Sequence, residues 1–110
     1  MNSLGFREGF SSDIDKFKQQ YRTQSPVIAD RFESAVNEAL AKIKEAPTAV
    51  GHFIRGPEGA VREFRRCNLK GFPLFIIYGV SGQMILIGGL LHARSRPAEW
   101  LRPFRPPWGN

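Results

Sequence analysis

From Phe72 to Val80 the chain reads FPLFIIYGV, and from Gln83 to His92 it reads QMILIGGLLH; Ser81-Gly82 joins the two runs. Aromatic and β-branched residues suit a pleated strand, and a two-residue Ser-Gly junction is a hairpin signal. The expectation is a hairpin of two long strands. Both are apolar at nearly every position, the pattern of strands at the centre of a sheet or covered on both faces. Elements elsewhere in the chain must therefore pack on them. Gly88-Gly89 inside the second strand permits a bulge or a close approach; with no helix following, it is a poor phosphate cradle. The stretch from Leu74 to Leu91 is too interrupted by glycine and polar residues to span a membrane.

The first half of the chain follows a helical period. Ser11-Ser12-Asp13 can cap a helix, and Ile14, Phe17 and Tyr21 follow on one stripe. Ser25-Pro26 opens a second helix, with proline suited to its first position. Ile28, Phe32, Ala35, Val36, Ala39, Leu40 and Ile43 form its apolar stripe, and Pro47 ends it. The two read as a helical hairpin covering one face of the sheet. For the other face the chain supplies no obvious cover, which points to a partner. Residues 47–60, rich in Pro and Gly, read as a loop carrying His52 and Arg55. Residues 61–66 (VREFRR) read as a short basic strand, and 68–71 (NLKG) as a turn.

Charge narrows the class of partner. The net charge of +6 lies entirely in residues 61–110, where Arg62, Arg65, Arg66, Lys70, Arg94, Arg96, Arg102 and Arg105 face only Glu63 and Glu99. Such segregation suits nucleic acid, an acidic peptide or an anionic surface, and arginine's planar fork suits phosphate and carboxylate. His92, Arg94 and Arg96 alternate where the last strand leaves the sheet, so an extended backbone points them to one side, within range of Arg62, Arg65 or Arg66. Pro97 then breaks the strand, and Trp100 is expected to fold back as a plug. The single cysteine, Cys67, and an N-terminus without an apolar leader suit the cytoplasm. No Cys/His spacing suggests zinc, and no cofactor is expected.

The order of these parts resembles the RelE/ParE superfamily of type II toxin–antitoxin toxins. The resemblance rests on Ile43 to Pro47 (I-x-x-x-P), Val61-Arg62, Phe72-Pro73 with Ile76 and Tyr78 (F-P-x-x-I-x-Y), and His92, Arg94, Pro97 and Trp100 (H-x-R-x-x-P-x-x-W). It implies an α+β fold: an N-terminal strand, a helical hairpin and a small antiparallel meander, as one toxin domain over residues 1–100. The Pro/Arg-rich residues 101–110 lie outside the pattern and are expected to be an extended tail. It also implies a cognate antitoxin in a hetero-oligomer, its C-terminal segment covering the bare sheet face. The chain departs from the family at SLGFREGF, which alternates poorly as a strand, and at Ser95-Arg96, where an arginine often precedes an aspartate.

Two activities fall within the resemblance. A ParE-like toxin blocks DNA gyrase and needs no catalytic acid; Arg62, Arg65, Arg66, Arg94 and Arg96 would bind its target. A RelE-like toxin cuts messenger RNA on the ribosome, with His92 as acid or base and Arg62, Arg94 and Arg96 steadying the phosphate. The absence of a tyrosine after Tyr78 favours the gyrase reading. A third possibility, outside the family, is a non-toxin nucleic-acid-binding module in which Phe64, Phe72 and Phe75 stack bases.

Overall fold

The structure is a computed structural model that describes residues 2–56, 59 and 62–104. Strand β1 (Ser3–Phe6) leads into helices α1 (Phe10–Arg22) and α2 (Pro26–Glu45). Strands β2 (His52–Ile54), β3 (Glu63–Asn68), β4 (Leu74–Ser81) and β5 (Met84–His92) follow, and two single turns of 3-10 helix, Pro97–Glu99 and Arg102–Phe104, close the described chain. The sheet runs β1-β5-β4-β3-β2, so the two apolar strands do stand at its centre. The architecture is α+β, with the RelE/ParE-like arrangement of helical hairpin and meander. Among the described residues no helix is long and apolar enough to cross a membrane.

Helix α2 forms as its pattern dictates. The Ser25 side chain accepts the Val27 N–H at 3.2 Å, Pro26 takes the first turn, and Ala29, Phe32, Ala35, Val36, Ala39 and Ile43 are buried. Helix α1 starts earlier than its serines suggest. Gly9, at φ 98°, is its N-cap with no side-chain cap bond, and Ser11, Ser12 and Asp13 fall in the first turn. The Asp13 carboxylate instead accepts the Leu90 N–H at 3.4 Å. That amide lies on the stretch of β5 beyond β1, which pairs only as far as Ile87.

Two strands were poorly marked in the sequence. β1 pairs with β5 in parallel, so the sheet is mixed rather than wholly antiparallel. β2, inside the segment read as a loop, pairs antiparallel with β3 at His52↔Arg66, Phe53↔Arg65 and Ile54↔Phe64. The β4–β5 hairpin turns at Gly82-Gln83, with Ser81 opposite Met84. Gly88 is skipped between the pairs Ile77↔Gly89 and Tyr78↔Ile87, which is the bulge the glycine pair permits.

The second face of the sheet is not bare, contrary to expectation. One core lies between the helices and the sheet, around Phe32, Ile43, Leu74, Ile76, Tyr78 and Ile87. A second lies on the opposite face, where Ile54, Phe64, Phe75 and Ile77 are packed under Leu91, Trp100, Leu101 and Phe104. The chain covers this face with its own residues 97–104, which form a strap. Trp100 folds back as the sequence suggested, its ring 5.4 Å from that of Phe75. Phe104 reaches Phe64 at 5.0 Å and crosses Gly88 so closely that a Cβ there would lie 2.4 Å from its ring. Within the expected extended tail, Arg102–Phe104 is a helical turn, and residues 105–110 lie outside those described.

Candidate anion-binding surface

Strand register divides the six expected site residues. β3 alternates: Cys67 belongs to the helix-side core and Phe64 to the strap-side core. Arg65 therefore shares the helix side, and Arg62 and Arg66 share the strap side. Arg65 is engaged within the fold. Its Nε and Nη2 donate to the carbonyls of Val50 and Gly51 at 3.1 and 3.3 Å, and its Nη1 meets Glu63 at 2.9 Å. Arg62 lies across Gly79, where a Cβ would stand 2.9 Å from its Cδ. That is the hairpin end of the sheet, because the next residue, Glu63, pairs with Val80 whereas His92 pairs with Leu74. Six strand residues, about 20 Å, separate the two ends. Arg62 is thus not brought to the His92 end.

Arg66 is brought there. Its guanidinium carbon lies 4.7 Å from the centre of the Phe75 ring and 4.8 Å from that of Trp100. The Trp100 indole N–H donates to the Ser95 carbonyl at 3.0 Å. Through that bond the ring under Arg66 anchors the segment bearing Arg94 and Arg96, both exposed. An arginine stacked on aromatic rings is fixed in orientation at little cost in hydration, and its N–H edge stays free to meet a planar anion. Arg66 thus stands over a ring that is tied to the segment carrying the exposed Arg94 and Arg96.

The two histidines exchange the roles their positions suggested. His92 pairs with Leu74, a helix-side core residue, so it is turned from the strap face. Its Nδ1 accepts the Arg94 N–H at 3.0 Å and its carbonyl accepts the Ser95 N–H at 2.8 Å, which folds the turn after β5. His52, assigned to a loop, is exposed and stands directly across from Arg66. The signal that could have placed it is the short β-prone run His52-Phe53-Ile54, masked by glycine and proline on both sides. Among the described residues no cluster of His, Cys, Asp or Glu could hold a metal ion.

The frame beneath this surface is stiff. Tyr78 is fully buried, and its hydroxyl shares its proton between the carbonyls of Pro47 and Val50, at 2.8 and 3.1 Å. Burial pushes its pKa up, with the Arg65 hydrogen bond and charge pulling the other way. The phenol therefore stays a donor at neutral pH. Burial likewise raises the Cys67 thiol; it is a packed core side chain, not a poised nucleophile.

No protein-family model matches the chain, and no curated protein does. Among solved structures, a chain in the structure of the chromosomal ParDE TA system from P. aeruginosa superposes with a TM-score of 0.66. The match covers 84% of this chain and 96% of that one, at 19% identity. At that identity the likeness is one of fold: this chain has the RelE/ParE-like fold, shared with a chain of a ParDE toxin–antitoxin system over nearly its whole length.

Proposed function

We propose that this chain is the toxin of a type II toxin–antitoxin pair, inhibiting growth through its basic surface and neutralised by a cognate antitoxin. The observation that carries the reading is the near-complete overlap in fold with a chain of the ParDE system, together with the guanidinium cluster at one end of the sheet. A surface of exposed or stacked arginines binds an acidic counterpart without any bond being broken, which suits a ParE-like inhibitor of DNA gyrase. His92, engaged in its own turn and on the helix side, is poorly placed as an acid or base beside Arg66. Of the six expected residues, Arg66, Arg94 and Arg96 are then the target-binding set. Arg65 is a positioning residue, and Arg62 contributes only to the field.

One observation favours the second reading. His52 stands opposite Arg66, so a histidine does accompany the guanidinium on the strap face. An RNA-cleaving toxin could use His52 for proton transfer and the arginines for phosphate charge. The experiment is induction without a partner, followed by direct inspection of the target. The gyrase reading expects relaxed or broken plasmid DNA with intact messenger, and His52→Ala leaving the arrest unchanged. Cleaved messenger with intact DNA, abolished by His52→Ala, would replace it with the nuclease reading. Abundant folded protein with unhindered growth would remove both.

A further inference from the structure

β2 ends the sheet, and no described residue pairs with its outer edge. An open edge presents a row of N–H and C=O groups that another extended chain can complete. Phe53 lies in this edge and is 64% exposed, the most of any large apolar side chain described. At the other edge of the sheet, by contrast, the Phe6 ring packs on Phe10 at 5.7 Å.

The β2 edge is also held in advance. Arg65 and Tyr78 bind the carbonyls of Pro47, Val50 and Gly51, which lead directly into the strand. Little backbone freedom remains to be lost when a partner strand pairs with it. Its surroundings are basic. A hollow of about 230 Å³ beside the strand is lined by Phe53, Arg55, Arg62 and Phe64. Glu63, at the same place, is neutralised by Arg65 at 2.9 Å, and His52 and Arg66 adjoin on the strap face.

We propose that β2 is a docking edge for an extended segment of a partner protein, added as a sixth strand and alternating apolar with acidic residues. Alternation follows from the strand itself. Phe53 shares the helix side with Arg65, whereas His52 and Ile54 share the strap side with Phe64 and Arg62, so apolar residues of the partner meet Phe53 and acidic ones meet His52 and Arg62. A second copy of this chain is a poor occupant, since it would set His52, Arg55 and Arg62 against their like. The partner's identity as the antitoxin rests on the function proposed above; the mode of docking rests on the edge.

The probe is a capped seven-residue peptide alternating valine and glutamate, titrated into the isotope-labelled full chain by NMR. Amide shifts concentrate on residues 52–54 and their partners on β3, with a Kd of about 1 mM or tighter. A twin methylated on its backbone nitrogens, which keeps the side chains but cannot pair, binds at least about tenfold more weakly, a loss of ~1.4 kcal/mol. Replacing glutamate by lysine weakens binding similarly, and so does Phe53→Ser, whereas Val27→Ser on α2 does not. Equal binding by the methylated twin, shifts centred elsewhere, or no binding at a peptide concentration of about 10 mM, roughly ten times that Kd, overturns the proposal. Growth arrest without edge binding removes only the docking mode; edge binding by a chain that leaves growth untouched removes only the toxin reading.

Discussion

Gly51 and Gly71 both stand in the left-handed region, at φ 74° and 82°, yet their surroundings differ. A Cβ at Gly71 meets nothing within 4 Å, whereas one at Gly51 lies 2.4 Å from the Arg66 carbonyl oxygen and 3.2 Å from the Tyr78 hydroxyl. Gly71→Ala therefore carries only the cost of the backbone conformation, about 1 kcal/mol. Gly51→Ala adds displacement of β3 and is expected to cost about 3 kcal/mol. Urea denaturation of both variants checks this, and equal losses would show that β2 is not held against Arg66. Tyr78→Phe tests the same anchor: it leaves the Pro47 carbonyl without its donor, whereas Val50 keeps Arg65, and should cost about 1–2 kcal/mol. Asp13 gives a pH dependence of definite sign. Burial raises its pKa above the ordinary 3.8, against the Leu90 hydrogen bond and the Lys16 charge, which lower it. The folded state thus holds this proton more tightly, so the group's contribution to stability falls as pH rises from 3.8 through the raised value. Asp13→Asn keeps an acceptor for Leu90 and removes that fall. Its melting temperature should exceed the wild type's at pH 7 and converge with it at pH 3.

At the scale of elements, legibility followed periodicity. α2 shows seven apolar residues on one stripe with a serine-proline start; five of them, Phe32, Ala35, Val36, Ala39 and Ile43, are buried, Ile28 and Leu40 are half-buried, and Ala29 joins the buried face from beside the stripe. β4 and β5 were readable because composition alone forces them to the centre. β1 and β2 were obscure for the same reason in reverse: each is four residues or fewer, stands at an edge and draws its stability from backbone pairing, not from an alternating buried face. The strap is the instructive failure. Proline-rich sequence after Arg96 gave no period to follow, but Trp100, Leu101 and Phe104 carry enough apolar surface to cover the second face. Gly88 held the hint, since a glycine in a central strand often marks a close approach. Two substitutions test this packing. Trp100→Ala removes a half-buried indole from Phe75 and Arg66 and should cost about 2 kcal/mol. Gly88→Val should dislodge Phe104, and fast exchange of amides in residues 100–104, with β4 still protected, would report it.

For the molecule as a whole, the separation of charge found in the sequence is carried into space only in part. Arg65 is taken inward to steady the β2 loop, and Arg62 stays at the hairpin end. Arg66 stacks where the strap crosses Phe75, and Arg94 and Arg96 are exposed on the segment that Trp100 holds. The sequence could name the bases but not sort them, because the sorting depends on strand register, on the bulge at Gly88 and on which ring the folded-back Trp100 sets under Arg66. Those three residues are the core of the account, and growth after induction without a partner is the measurement that bears on them most directly. The wild-type chain should arrest growth. The Arg94→Ala/Arg96→Ala double variant, whose side chains are exposed and whose fold should be unchanged by circular dichroism, should lose at least about tenfold in potency, more than ~1.4 kcal/mol of target binding. Full arrest by that folded double variant would contradict the account.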